Sequence, residues 1–142
     1  MQVFHVWFAT KRRKWLLLGD VQEAARREFQ AIAVEKSIKL LASEAIVDHV
    51  HLLFELSDRG KLPRAMNDLK GVSARRLFET FPELKLDAHT NHFWQEGYGF
   101  KLVAPAALAA TKRYISTQWD RLDNYERPSK LRPSGRSGQT LR

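Results

Sequence analysis

The chain has 142 residues, 24 Lys and Arg against 16 Asp and Glu, a formal charge of +8, and no cysteine. That length fits one domain with a sizeable core, and the missing cysteine excludes disulfides, thiolate metal sites and cysteine nucleophiles. The basic balance points to a polyanionic partner, most simply nucleic acid.

VFHVWFAT (3–10) is rich in β-branched and aromatic residues and predicts a strand. KRRK (11–14) follows as a cationic turn. GDVQEAARREFQAIAVEKS (19–37) predicts a helix, with Asp20 as N-cap and Glu23 at the spacing of a capping box. Val21, Ala25, Phe29 and Ile32 form its apolar stripe. IKLLASEAIV (38–47) and HVHLLFEL (49–56) read as two strands joined tightly at Val47-Asp48.

LPRAMNDLKGVSARRLFETF (62–81) predicts a second helix that buries Leu62, Met66, Leu69 and Leu77 and stops at Pro82. Gly71 in its middle costs about 1 kcal/mol against alanine, which suggests a kink or a close backbone approach. HFWQEGYGFKLV (92–103) reads as a glycine-interrupted strand. PAALAATKRYISTQWDRLDNY (105–125) reads as a third helix, with Pro105 near its start and Leu108, Ile115, Trp119 and Leu122 along one side. From Arg127 the chain carries five basic residues, no acidic ones and almost nothing apolar. One domain over 1–126 and a disordered basic tail over 127–142 are therefore expected.

This order of strands and helices suggests an α+β fold, a ferredoxin-like or RRM-like antiparallel sheet with helices mainly on one face. The uncovered face, or one end of the sheet, can carry a site. No apolar stretch approaches the ~18–20 residues of a membrane span. The opening MQVFHVWFATKRRKW lacks the order of a signal peptide, so a cytoplasmic protein is expected.

His49 and His51 are two apart in a predicted strand, so both imidazoles face the same way, ~6–7 Å apart. That separation can hold one metal ion. Taken alone, the pair is as well read as two ordinary structural histidines. Tyr114 and Gln118 are four apart on the third predicted helix and share a face offset from its apolar stripe. A phenol can act as a nucleophile once its proton is taken or stabilised. With His49 and His51, Gln118 would give two nitrogens and one oxygen, a mixed and fairly hard set that suits Mg²⁺ or Mn²⁺ beside substrate phosphate. Asp48 could assist the metal or orient a histidine, but it reads first as the cap of the turn between the strands. His5, His89 and His92 receive no role.

Five segments, FHVWFATKRRKWLL, DHVHLLFEL, LKGVSARRLFETFPEL, FWQEGYGFKLV and KRYISTQ, stand in an order and spacing that resembles the single-tyrosine transposases of the smallest bacterial insertion sequences. These belong to the HUH nuclease superfamily, named for histidine, hydrophobic residue, histidine, here His49-Val50-His51. The REP-associated tyrosine transposases are relatives. The glycine-bearing linker often seen before the tyrosine helix is replaced here by APAALAA.

The resemblance implies that Tyr114 attacks single-stranded DNA, giving a 5′-phosphotyrosine link and a free 3′-hydroxyl that later rejoins DNA. His49, His51 and Gln118 would hold the divalent ion, and no nucleotide cofactor is needed. The family also implies homodimers, in which one subunit's tyrosine helix can complete the other's site, and hairpin DNA as partner. The apolar strand segments AIV and LLFEL could pair edge to edge between subunits. The protein would join the nucleoid when bound to DNA.

Lys11, Arg12, Arg13 and Lys14, then Lys70, Arg75 and Arg76, are the expected phosphate contacts. Trp7, Phe93, Trp94 and Tyr98 are the aromatics on which an unpaired base could stack, although Trp94 and Trp119 read first as core. Three competing functions remain: a domesticated relative that nicks host palindromes, an inert DNA-binding module on the same plait, and a metal-storing or structural domain.

Overall fold

The computed structural model describes residues 1–88 and 92–117. Four antiparallel strands form one sheet in the order β2-β3-β1-β4. They are β1 (Gln2–Ala9), β2 (Lys39–Ile46), β3 (His49–Leu56) and β4 (Gly99–Leu102). Helices α1 (Gly19–Glu35) and α2 (Leu62–Thr80) follow β1 and β3. A short α3 (Leu84–Ala88) and then α4 (Leu108–Ser116) complete the described elements. This is the ferredoxin-like order expected from the sequence.

Strand alternation decides the layers. Phe4, Val6 and Phe8 of β1 and Val50, Leu52 and Phe54 of β3 point to one face. There they join Ala25, Phe29 and Ile32 of α1 and Met66, Leu69 and Leu77 of α2 in the main core. The opposite face carries a smaller cluster, Leu53, Val103 and Ile115, flanked by Val3, Leu41, Ala42 and Leu108. The helix carrying Tyr114 thus packs on the face that α1 and α2 leave open. No helix among the described residues is long and apolar enough to cross a membrane.

Four local expectations need correction. The 92–103 segment is mostly loop: only Gly99–Leu102 forms strand, besides an isolated Thr10–Trp94 bridge. Gly97 turns the chain with φ +85°, and Phe93 and Trp94 leave the sheet direction to enter the main core. Leu18 rather than Asp20 is the N-cap of α1, and Glu23 pairs with Arg26 instead of closing a capping box. Gly71 neither breaks α2 nor meets another backbone, since a Cβ there would touch nothing within 4 Å. LLFEL belongs to β3, which is hydrogen-bonded on both sides and has no edge to offer. AIV lies at the end of β2, an outermost strand, where Val47 alone pairs with Leu17.

The expected third helix is seen from Leu108 to Ser116, after a 3-10 turn at Pro105–Ala107. Gln118, Trp119, Leu122, His89 and the 127–142 tail lie outside the described residues.

Candidate active site

The β1–β3 register sets Ala9 opposite His49, Trp7 opposite His51 and His5 opposite Leu53. Residues paired across an antiparallel ladder share a face. His5, His49 and His51 therefore all stand on the face away from α1 and α2. The His49 and His51 rings lie 5.2 Å apart, nearly perpendicular. The two-residue spacing read from the sequence is realised as one imidazole pair.

The head of β3 is fixed by its turn. Val47 takes a left-handed φ of 56°, and the Thr10 amide donates to the Asp48 carbonyl at 2.9 Å. This aims Asp48 back at its neighbour: Asp48 Oδ1 lies 3.0 Å from His49 Nδ1. Its other oxygen accepts from Arg13 Nε, also at 3.0 Å. Asp48 reads first as a turn cap in the sequence, but its contact to His49 is that of an orienting group.

His51 is held in the same way by a residue that sequence reasoning passed over. His5 Nε2 lies 3.0 Å from His51 Nδ1, with ring centroids 5.2 Å apart. The other ring nitrogen of His5 is buried with no hydrogen-bond partner among the described residues. Nothing in the local sequence around His5 marks it. Only the antiparallel register, a long-range property, brings it to His51.

Burial pushes the His51 pKa down to about 3, with His49 and His5 adding to the effect. Burial also lowers that of His5, with help from Lys101. Both rings are therefore neutral near pH 7, the form in which an imidazole binds a metal. Glu44 faces His51 in the β2–β3 register, but its carboxylate is bound by Arg26, 2.8 Å from Nε.

Tyr114 reaches this cluster from α4 of the same chain. Its ring centroid lies 5.7 Å from His51 and 6.1 Å from His5, edge-on to both. The anchors are Leu108 and Ile115, whose apolar side packs on the small cluster. The neighbouring face then turns the half-exposed phenol over the histidines.

Two imidazoles with their Nδ1 atoms already engaged fit a divalent ion taken by the Nε2 atoms. Among the described residues no group of three His, Cys, Asp or Glu is placed to hold a metal ion. Gln118, the expected third donor, lies one residue beyond the described segment.

The expected phosphate contacts divide into two groups. Arg12 and Arg75 are exposed, and Lys11 and Lys14 are half-buried. Arg13 is tied to Asp48. Lys70 donates to the carbonyls of Gln95 and Gly97 at 2.8 and 2.5 Å, and burial lowers its pKa. Arg76 forks between Glu28 and Glu35 of α1.

Comparison with known proteins places this site in context. The family described as "Transposase IS200 like" matches residues 2–118. The ISDra2 transposase TnpA of Deinococcus radiodurans is 30% identical over 118 residues, 83% of this chain and 84% of its own length. The transposase for insertion sequence element IS200 of Salmonella typhimurium is 30% identical over 95 residues, 67% of this chain and 62% of its own. Among solved structures, a Deinococcus radiodurans protein assigned as a transposase aligns with TM-score 0.68 and 31% identity. That alignment covers 83% of this chain and 92% of the other. A REP-associated tyrosine transposase bound to a REP hairpin shares the fold, with TM-score 0.59 and 12% identity over 88% of this chain and 68% of its own. The chain belongs to the IS200-like transposase family.

Proposed function

We propose that this transposase cleaves and rejoins single-stranded DNA through a covalent bond to Tyr114, with a divalent ion, Mg²⁺ or Mn²⁺, held by His49, His51 and Gln118. The observation that carries the reading is the approach of the Tyr114 ring to His51, 5.7 Å between centroids within one chain.

In the proposed step the phenol oxygen attacks the phosphorus of a phosphodiester. An O–P bond to tyrosine forms, the bond to the 3′ oxygen breaks, and the phenol proton leaves as the departing oxygen gains one. A 3′-hydroxyl later reverses the exchange and frees the phenol. The ester stores the bond energy, so no nucleotide cofactor is consumed. When bound, the ion neutralises charge on the phosphate and polarises it. His49 and His51 hold it through their Nε2 atoms, Asp48 and His5 fix the ring orientations, and α4 delivers the nucleophile.

The DNA partner is proposed to be a single strand bearing a hairpin. Arg12, Lys11, Lys14 and Arg75 are its phosphate contacts, whereas Arg13, Lys70 and Arg76 brace the fold. Arg12 and Arg13 both adopt left-handed backbone, φ 58° and 56°, an uncommon conformation for such residues. A homodimer, implied by the family resemblance, belongs to the same proposal. Docking of α4 on its own sheet supports a site assembled within each copy.

The test is an incubation of the protein with hairpin-bearing single-stranded DNA and Mn²⁺. A covalent protein–DNA band is expected, lost with EDTA and with Tyr114→Phe. A band that survives Tyr114→Phe would reassign the nucleophile, and no band from the wild-type protein on any hairpin substrate would favour the inert DNA-binding reading.

A further inference from the structure

Of the four aromatics offered as stacking surfaces, the fold buries two and half-buries a third, away from the histidine face. Phe93 and Trp94 are buried in the main core, and the Trp94 indole N–H donates to Ser73 at 2.9 Å. Tyr98 packs beside Phe100, 6.2 Å between rings, against the main core. Trp7 remains, 37% exposed, on the face that carries the histidines.

Its position is specific. Trp7 is the register partner of His51 on one side and of Gly99 on the other. The indole leans toward Gly99: a Cβ there would come within 2.2 Å of Trp7 Cε2 and Nε1. The glycine is what lets the ring lie over β4, and that leaves the space beside His51 to Tyr114. His5 supports the other side, 5.1 Å between ring centroids. Lys101, the exposed partner of His5 in the β1–β4 register, stands two residues further along β4 on the same face. The sheet thus presents, side by side, the histidine pair, an exposed indole and a cation.

We propose that Trp7 is a stacking platform for an unpaired base next to the phosphate at Tyr114, with Lys101 contacting a neighbouring phosphate. The proposal rests on the reading of the histidine face as a DNA-cleaving site and names what lies beside it. A half-exposed indole leaves apolar area in water that a base covers on binding, and such stacking tolerates any base. The plainer role, in which Trp7 merely covers Gly99, makes a different prediction and is separated by experiment.

The full chain is titrated in EDTA with oligothymidine and, separately, with an oligonucleotide of the same length in which every base is replaced by an abasic site. Trp7→Ala should weaken oligothymidine binding about tenfold and leave the abasic probe unchanged. Trp7→Phe should retain most of the affinity. Gly99→Ala, which unseats the indole, should behave like Trp7→Ala, and thermal unfolding checks that each variant is folded. In a second measurement, oligothymidine should quench tryptophan emission of the wild-type chain, and Trp7→Phe should lose most of that quenching. Equal losses on both probes, no loss of oligothymidine affinity in Trp7→Ala, or full quenching in Trp7→Phe would each overturn the platform.

The covalent-band experiment distinguishes the two levels. A band from a wild-type chain whose Trp7→Ala variant binds normally sinks the platform alone. Base-dependent binding without any band sinks the cleavage reading alone.

Discussion

His5 and His51, 46 positions apart in the chain, meet through ring nitrogens 3.0 Å from each other. One proton joins them. If it sits on His51 Nδ1, that nitrogen donates to His5 Nε2 and the His51 Nε2 lone pair is available to a metal. His5 then carries its own proton on Nδ1, the buried atom without a partner among the described residues. Asp48 fixes His49 in the corresponding way.

The first prediction follows from that arrangement. His5→Phe keeps an aromatic ring but removes the acceptor, and it should weaken Mn²⁺ binding about tenfold or more. His5→Gln, which can still accept, should recover part of the loss. Calorimetric Mn²⁺ titration of the folded variants checks this. Unchanged Mn²⁺ affinity in His5→Phe would show that His5 does not orient His51.

Acid should destabilise the metal-free protein through His51. Its folded pKa of about 3 is below the ordinary 6.5, so the unfolded chain binds the proton first as pH falls. The stabilising difference is complete above pH 6.5 and disappears progressively toward pH 3. By pH 5 the wild type should have lost about 2 kcal/mol from this group. Denaturant unfolding of wild type and His51→Gln between pH 7 and pH 5 measures the difference. Parallel pH profiles would contradict it.

The basic residues should separate by salt dependence. Arg12→Gln should weaken DNA binding and reduce the slope of log affinity against log salt by about one. Arg76→Gln should leave that slope unchanged and lower the melting temperature, because its fork joins α2 to Glu28 and Glu35 of α1. The reverse outcome would move the DNA track from the β1 exit to α2.

Gly71→Ala should stabilise the protein. The added methyl meets nothing within 4 Å, and the site lies inside α2. A gain of about 1 kcal/mol, or roughly 2–5 °C in melting temperature, is expected. A fall in melting temperature would reveal a constraint on α2 outside the described contacts.

Much of this molecule was legible because periodicity is local. The β-branched and aromatic content of VFHVWFAT and the apolar run HVHLLFEL mark the strands, and the Ala25–Phe29–Ile32 stripe marks the buried side of α1. His49 and His51 were visible because a strand places i and i+2 together whatever the fold. His5 was not, because its relation to His51 exists only once β1 and β3 are paired. Lys70 and Arg76 looked like DNA contacts because charge alone cannot distinguish a phosphate from a loop carbonyl or a helix glutamate. The 92–98 loop looked like strand because Phe93 and Trp94 have strand-forming side chains, yet they fill the core.

The two faces of the sheet are unequal. The large core joins α1 and α2 to one side, while α4 covers only a handful of apolar residues on the other. Among the described residues, separating α4 from the sheet exposes little and leaves the main core intact, the mark of a segment with a low opening free energy of its own. The imidazoles stand on the central strands, whereas the phenol sits on the lightly packed segment. If Tyr114 forms the covalent bond proposed above, a strand of DNA attached to it would ride on α4, and the main body would not have to unfold for it to move.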